Sequence, residues 1–396
     1  MKARTLLAIV VRRGLQVSLG IAVALATPCI THAQPSDKTS AGKLSEHAHT
    51  MSSAEMDRSV FWVGHSLIEQ KASSEWGEID LMSMVGLFAR DRGLGYRTEG
   101  HVLWGSPVSA LWRGRPHGYA RDASSMVPRR EAFERDAKHY DTMVLTEGLP
   151  VEKALRHEYS AFYIRLFYCT LKRANPAARV YLYQTWVNLQ AGDAGAGYPP
   201  IERFDWVAEM ASQRTTWERL ADSASRPGVR QPTSFDRIGW VSSTDAGCST
   251  DDPILLVPVG NVLVRIGQRI TKPEPADDFR LASGDTMTLA DLFSNPYVNW
   301  PRDWPLRQSA ESADLQTVRT GLKLRDPSKP HDDIHSSQLG IYVAALTHFA
   351  TLYRQSPRGL RHPAWIGDGA ARTLQCIAWE VVSRDPRAGV GATSAC

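Results

Sequence analysis

The chain has 396 residues, 46 Lys+Arg against 42 Asp+Glu, a formal net charge of +4, 43% hydrophobic and 22% charged residues. That balance excludes a disordered polyelectrolyte and supplies enough apolar material for one large folded domain. The basic excess is local: Lys2, Arg4, Arg12 and Arg13 lie in residues 1–33, which hold no acid, leaving 42 basic against 42 acidic residues beyond them. No phosphate-binding surface is expected, and nucleic acid is excluded as a partner.

In chain order, residues 1–33 read as a secretory signal. A basic start precedes an apolar run from Leu15 to Thr27, and Thr31-His32-Ala33 supplies a small-x-small cleavage site before Gln34. The run falls short of the ~20 apolar residues that a spanning helix needs, so no stable membrane insertion is expected after cleavage. A periplasmic or secreted location follows. Residues 34–57 are polar and aperiodic and read as a flexible linker.

From residue 58 to 396, strands and helices alternate. Strands are expected at Ser59–Val63, Arg97–Leu103, Thr142–Leu145, Val180–Thr185 and Ile254–Val259. Helices are expected at Glu78–Arg92, stopped by Gly93, at Val151–Ala174, closed by Asn175-Pro176, and at Asn261–Ile270. A further helix starts at Ser336, with Leu339, Tyr342, Val343, Leu346, Phe349 and Tyr353 on one face. A last one covers Ala370–Val382. Short apolar strands separated by helices predict an α/β fold, a parallel sheet covered on both sides. Residues 188–250, with a helix at about Phe204–Ala221, and residues 271–330, rich in Pro and Trp, interrupt the pattern as insertions. Trp300 and Trp304 in the second are candidates to stack on a sugar ring.

Two stretches carry the chemistry. Val60-Phe61-Trp62-Val63-Gly64-His65-Ser66-Leu67 runs an apolar strand into a serine at its carboxyl end. His331-Asp332-Asp333-Ile334-His335 places an Asp three residues before a His, on what reads as a tight turn entering a helix. A serine hydroxyl needs a base within hydrogen-bond reach, and the base needs an orienter. Ser66, His335 and Asp332 are the candidate nucleophile, base and orienter. His331 and His335 also invite a metal reading, but a helix beginning at Ser336 does not put both on one face; no metal site is assigned.

These blocks resemble those of the SGNH (GDSL-type) hydrolase superfamily. Gly64-His65-Ser66-Leu67 is similar to the Gly-Asp-Ser-Leu block, with His65 in place of Asp, and Asp332-Ile334-His335 is similar to the Asp-x-x-His block, continued by Gly340, Ile341, Tyr342, Ala344 and Ala345. The resemblance implies a flavodoxin-like three-layer α/β/α sandwich with a five-stranded parallel sheet. It also implies an oxyanion hole from the backbone N–H groups of Ser66 and Gly105. The family's Gly-x-Asn-Asp block is absent: the corresponding strand reads Thr142-Met143-Val144-Leu145-Thr146-Glu147-Gly148. A glutamine amide can donate to an oxyanion and an ionised glutamate cannot, so Gln184 is the candidate replacement donor, with Glu147 and Trp186 assigned to the substrate crevice.

The expectation is an exported serine esterase that removes a small acyl group, such as acetate, from a small molecule or carbohydrate, with no metal or organic cofactor. The alternatives are a glycan O-acyltransferase using the same triad, or a non-catalytic glycan-binding protein on the same fold. Beyond the signal four cysteines remain, Cys169, Cys248, Cys376 and Cys396, which allow two disulfides in three pairings. Cys169 also continues the apolar stripe Leu155, Tyr159, Phe162, Leu166, which reads equally as buried packing.

Overall fold

The computed structural model describes residues 57–114, 129–149, 151–187, 206–227, 247–249, 252–295, 318–319, 322–323, 332–391 and 396. The expected signal and linker, Trp300 and Trp304 lie outside them. The five apolar runs form strands β1 (Arg58–Gly64), β4 (Tyr96–Val102), β5 (Thr142–Leu145), β6 (Arg179–Tyr183) and β7 (Leu255–Val257). They pair in parallel in the order β4-β1-β5-β6-β7. Counted along the chain this is 2-1-3-4-5, the flavodoxin-like order, whose ligand crevice opens where the strand order reverses beside the first strand. Small antiparallel pairs complete the strands: β2 (Ala72–Ser74) with β3 (Gly77–Ile79), β8 (Phe293–Asn295) with β11 (Asp332–Ser336), and β9 (Val318–Arg319) with β10 (Leu322–Lys323).

The period-2 alternation of β1, β5 and β6 feeds a separate core on each face. Val60, Trp62, Val144, Tyr181 and Tyr183 point into one core; Phe61, Val63, Met143, Leu145, Val180 and Leu182 point into the other. The first core is covered by α2 (Leu81–Asp91), α8 (Val259–Thr271), α9 (Gln338–Tyr353) and α10 (Asp368–Arg384). The second is covered by α3 (Val108–Arg113), α4 (Arg129–Asp136) and α6 (Ser160–Ala174). Helix α7 (Trp206–Ser225) serves both, with Trp206 and Met210 in one and Trp217 and Leu220 in the other. The chain is therefore an α/β three-layer sandwich. No helix among the described residues is long and apolar enough to cross a membrane.

Several elements differ from the sequence expectation for identifiable reasons. Asp80 accepts a hydrogen bond from the Ser83 N–H at 2.7 Å and starts α2, so the residues before it fold as the β2–β3 hairpin and not as helix. The long helix expected at Val151–Ala174 is two, α5 (Val151–His157) and α6, because Tyr159 takes a left-handed φ of 53° between them. Helix α9 was expected to bury one face; all its residues are buried, since α2, α8 and α10 all pack against it. The opening of the second insertion belongs to the core, with Phe279, Leu281, Met287, Leu289 and Phe293 buried. Two disulfides, Cys169–Cys248 and Cys376–Cys396, choose among the three pairings.

Candidate active site

Strand β1 delivers Ser66. Its central residues Val60 to Val63 are at most 3% exposed, so the strand's path is fixed by packing on both faces. A side chain at Gly64 would bring its Cβ to 2.6 Å from Thr146 Cγ2 and 2.7 Å from Ile68 Cδ1, so only glycine lets the chain turn there. After the extended His65, Ser66 opens the short helix α1 (Ser66–Glu69). As its first residue, Ser66 has an N–H outside the helical hydrogen-bond ladder.

His335 arrives from a distant part of the chain. Its Nε2 lies 2.8 Å from Ser66 Oγ, across 269 residues of sequence. In the tautomer that makes imidazole a base, Nδ1 carries the proton and Nε2 accepts the serine hydroxyl. The expected tight turn at Asp332–His335 is instead strand β11, antiparallel to β8 with Asp332 opposite Asn295 and Ser336 opposite Phe293. Backbone pairing, and not a helix cap, thus presents the imidazole. The carbonyls on either side of His335 are each held by a side chain. Trp186 Nε1 donates to Ile334 O at 2.7 Å, and Gln70 Nε2 donates to Ser336 O at 3.1 Å. Ser337 then caps α9, accepting from the N–H groups of Leu339 and Gly340 at 3.1 and 3.3 Å. A Cβ on Gly340 would run into the Leu292 carbonyl, so this glycine lets α9 begin directly beneath β8 and β11. Asp332 lies in the backbone of β11; its side chain is outside what is described.

Gly105 sits in the turn after β4, with φ +66°, a left-handed conformation that favours glycine. The turn is tied to the nucleophile's strand by the Leu103 N–H on Gly64 O at 2.9 Å and closed by the Ser106 N–H on Leu103 O at 3.2 Å. Trp104, on this turn, has its ring centroid 6.3 Å from that of His335.

Three expectations are corrected. Glu147 does not line the crevice: it is fully buried, and its Oε1 accepts from the N–H groups of Val108 at 3.0 Å and Gly148 at 2.6 Å. It fastens the end of the Gly105 turn to the end of β5. Burial raises its pKa to about 7, against the opposing pull of Ser160 and the two backbone donors. Trp186 is 2% exposed, and its indole N–H is spent on Ile334 O, so it is buried against β11 rather than lining an open crevice. Gln184 is not brought to Ser66. It follows β6, which β5 separates from β1, and its amide donates to Asn261 Oδ1 at 3.1 Å while accepting from Arg214 at 3.4 Å. It was placed by strand order alone, which did not register that the neighbouring helices claim its amide.

His65, where the resembling block has Asp, is buried and uncharged. Burial lowers its pKa to about 4, and His335 adds to the same direction. Its Nε2 lies 2.9 Å from the Glu147 carbonyl, which can only accept, so Nε2 carries the proton. Sequence reasoning missed Gln70 and the bracket made by Glu147; neither belongs to a local motif, and each acts on backbone far away in the chain.

Among the described residues, no group of three or more His, Cys, Asp or Glu is arranged to hold a metal. Comparison with known proteins adds little. No family model matches the chain, and no curated protein matches it. Among solved structures, a DUF4886 family protein from Bacteroides uniformis is similar at 12% identity and a TM-score of 0.41, over 83% of this chain and 95% of that one.

Proposed function

We propose that the protein is an exported serine esterase that cleaves small acyl esters, acetate foremost, with Ser66 as nucleophile, His335 as base and Asp332 as its orienter. The observation that carries this reading is the 2.8 Å contact between Ser66 Oγ and His335 Nε2 at the carboxyl end of β1. That distance lies within the range for proton transfer from nucleophile to base. The position is the crevice of a sheet with this strand order, and the resemblance to SGNH hydrolases at both blocks points the same way.

In the first half-reaction Ser66 Oγ bonds to the ester carbonyl carbon as its proton passes to His335 Nε2. The carbonyl oxygen, now an anion, takes hydrogen bonds from the N–H groups of Ser66 and Gly105. The bond to the alcohol oxygen breaks, and His335 returns the proton to that oxygen. Water then attacks the acyl-serine, giving its proton to His335, and collapse releases the acid and restores the serine hydroxyl. All groups required belong to the chain or the substrate. Export is supported by the signal-like residues 1–33 and by the two disulfides, which persist in oxidising compartments.

The test is hydrolysis of p-nitrophenyl acetate by the parent and by Ser66→Ala, with the fold followed by circular dichroism. The proposal expects turnover in the parent and a loss of about a thousandfold or more in a folded variant. Equal turnover in the two proteins removes Ser66 from the mechanism.

A further inference from the structure

Trp104 is the large hydrophobic side chain left exposed among the described residues, at 51%, while other tryptophans of the fold such as Trp62, Trp112, Trp186, Trp206 and Trp217 are at most 3% exposed. A flat apolar ring kept in water gains nothing for folding. Its place is not incidental to the site: the ring lies 6.3 Å from the His335 imidazole, inclined to it by 36°. The turn that bears it is fixed at three points, by Leu103 N–H on Gly64 O, by Ser106 N–H on Leu103 O and by Val108 N–H on Glu147. The ring is therefore presented in advance of any ligand, so little ordering is left for binding to supply.

Which part of an ester would meet it follows from the chemistry proposed above, on which this inference rests. His335 Nε2 returns its proton to the leaving alcohol oxygen, so that oxygen must approach the imidazole. Whatever is bonded to it lies beside His335, within reach of the Trp104 ring 6.3 Å away. We propose that Trp104 is the floor of an alcohol-side subsite that takes a ring-shaped alcohol, the apolar face of a pyranose stacking on the indole. The substrate is then an acyl ester on a sugar hydroxyl, and Trp104 reads the alcohol and not the acyl group. An indole presents a broad face with no acceptor, which suits the C–H face of a pyranose and places no demand on which hydroxyl is esterified.

The test compares kcat/KM for three acetates in the parent and in Trp104→Ala and Trp104→Phe: ethyl acetate, cyclohexyl acetate and a mono-acetylated methyl glucopyranoside. The proposal expects the ratio of glucopyranoside to ethyl ester activity to fall about tenfold in Trp104→Ala, carried by KM, with partial recovery in Trp104→Phe. An equal fall for all three esters, or one carried by kcat, makes Trp104 a support for His335 and overturns the subsite. A fall confined to cyclohexyl acetate overturns the sugar as occupant. Ethyl acetate hydrolysis that is lost in Ser66→Ala shows the triad reading standing independently of either result; a parent inactive on all three esters overturns both.

Discussion

At the residue scale, Glu147 is a carboxyl held far from its ordinary behaviour. A carboxyl with two N–H donors would ordinarily be held ionised, yet full burial outweighs them and raises its pKa from 4.5 to about 7. The sign for stability follows. Between those values the unfolded chain releases the proton that the folded chain keeps, so this group stabilises the fold at low pH, and that contribution is lost as pH rises from about 4.5 to 7. His65 works oppositely in an overlapping window: with its pKa lowered from 6.5 to about 4, the unfolded chain takes up a proton that the folded chain does not, and stability falls as pH drops through that range. The two slopes offset each other in the parent, and substitution separates them. Glu147→Gln keeps an acceptor for Val108 and Gly148 but removes the titration. Measured by chemical denaturation, its stability relative to the parent is expected to rise by on the order of 3 kcal/mol between about pH 4 and about pH 8. Parallel curves for the two proteins would contradict the raised pKa.

At the scale of elements, the site is assembled by backbone clamps. Among the described residues strand β11 pairs with β8 alone, and the carbonyls flanking His335 are held by Trp186 and Gln70. Trp186→Phe leaves the Ile334 carbonyl without its donor, which costs about 1–3 kcal/mol where the group is buried. Because a misplacement of about 1 Å at a reacting group can cost ~100-fold, we expect kcat on a small acetate to fall 10- to 100-fold with little change in KM. A loss of melting temperature with unchanged kcat would make Trp186 a packing residue only. These clamps were illegible in the sequence. An indole three residues beyond a strand looks the same whether it meets substrate or a carbonyl 148 residues away. What was legible was local and periodic: the apolar strands and the glycine before Ser66; the Asp332–His335 stretch was expected as a tight turn and is a strand. Gly105 was placed correctly at the end of β4 because a turn glycine leaves a local mark. The split of the 151–174 helix left none, since a left-handed φ at a tyrosine such as Tyr159 is not favoured by its residue type.

At the scale of the molecule, the chain brings residues 66 and 335 together at one crevice. Cys169–Cys248 ties α6 to the segment leading into β7, where Arg165 also donates to the Cys248 carbonyl at 2.9 Å. Cys376–Cys396 holds the last residue against α10. The sheet order, which the resemblance implied and the alternation of elements alone did not give, sets the first strand beside the reversal and so determines where Ser66 emerges. The convergence of Ser66 and His335 over 269 residues is the claim on which the function depends. It is tested most directly by reaction with a fluorophosphonate, which modifies a serine only when its hydroxyl is activated, with the modified residue located by mass spectrometry in the parent and in His335→Ala. The account predicts label on Ser66 in the parent and a rate lower by about a thousandfold or more in the variant. Label on another serine, or equal rates in the two proteins, would contradict it.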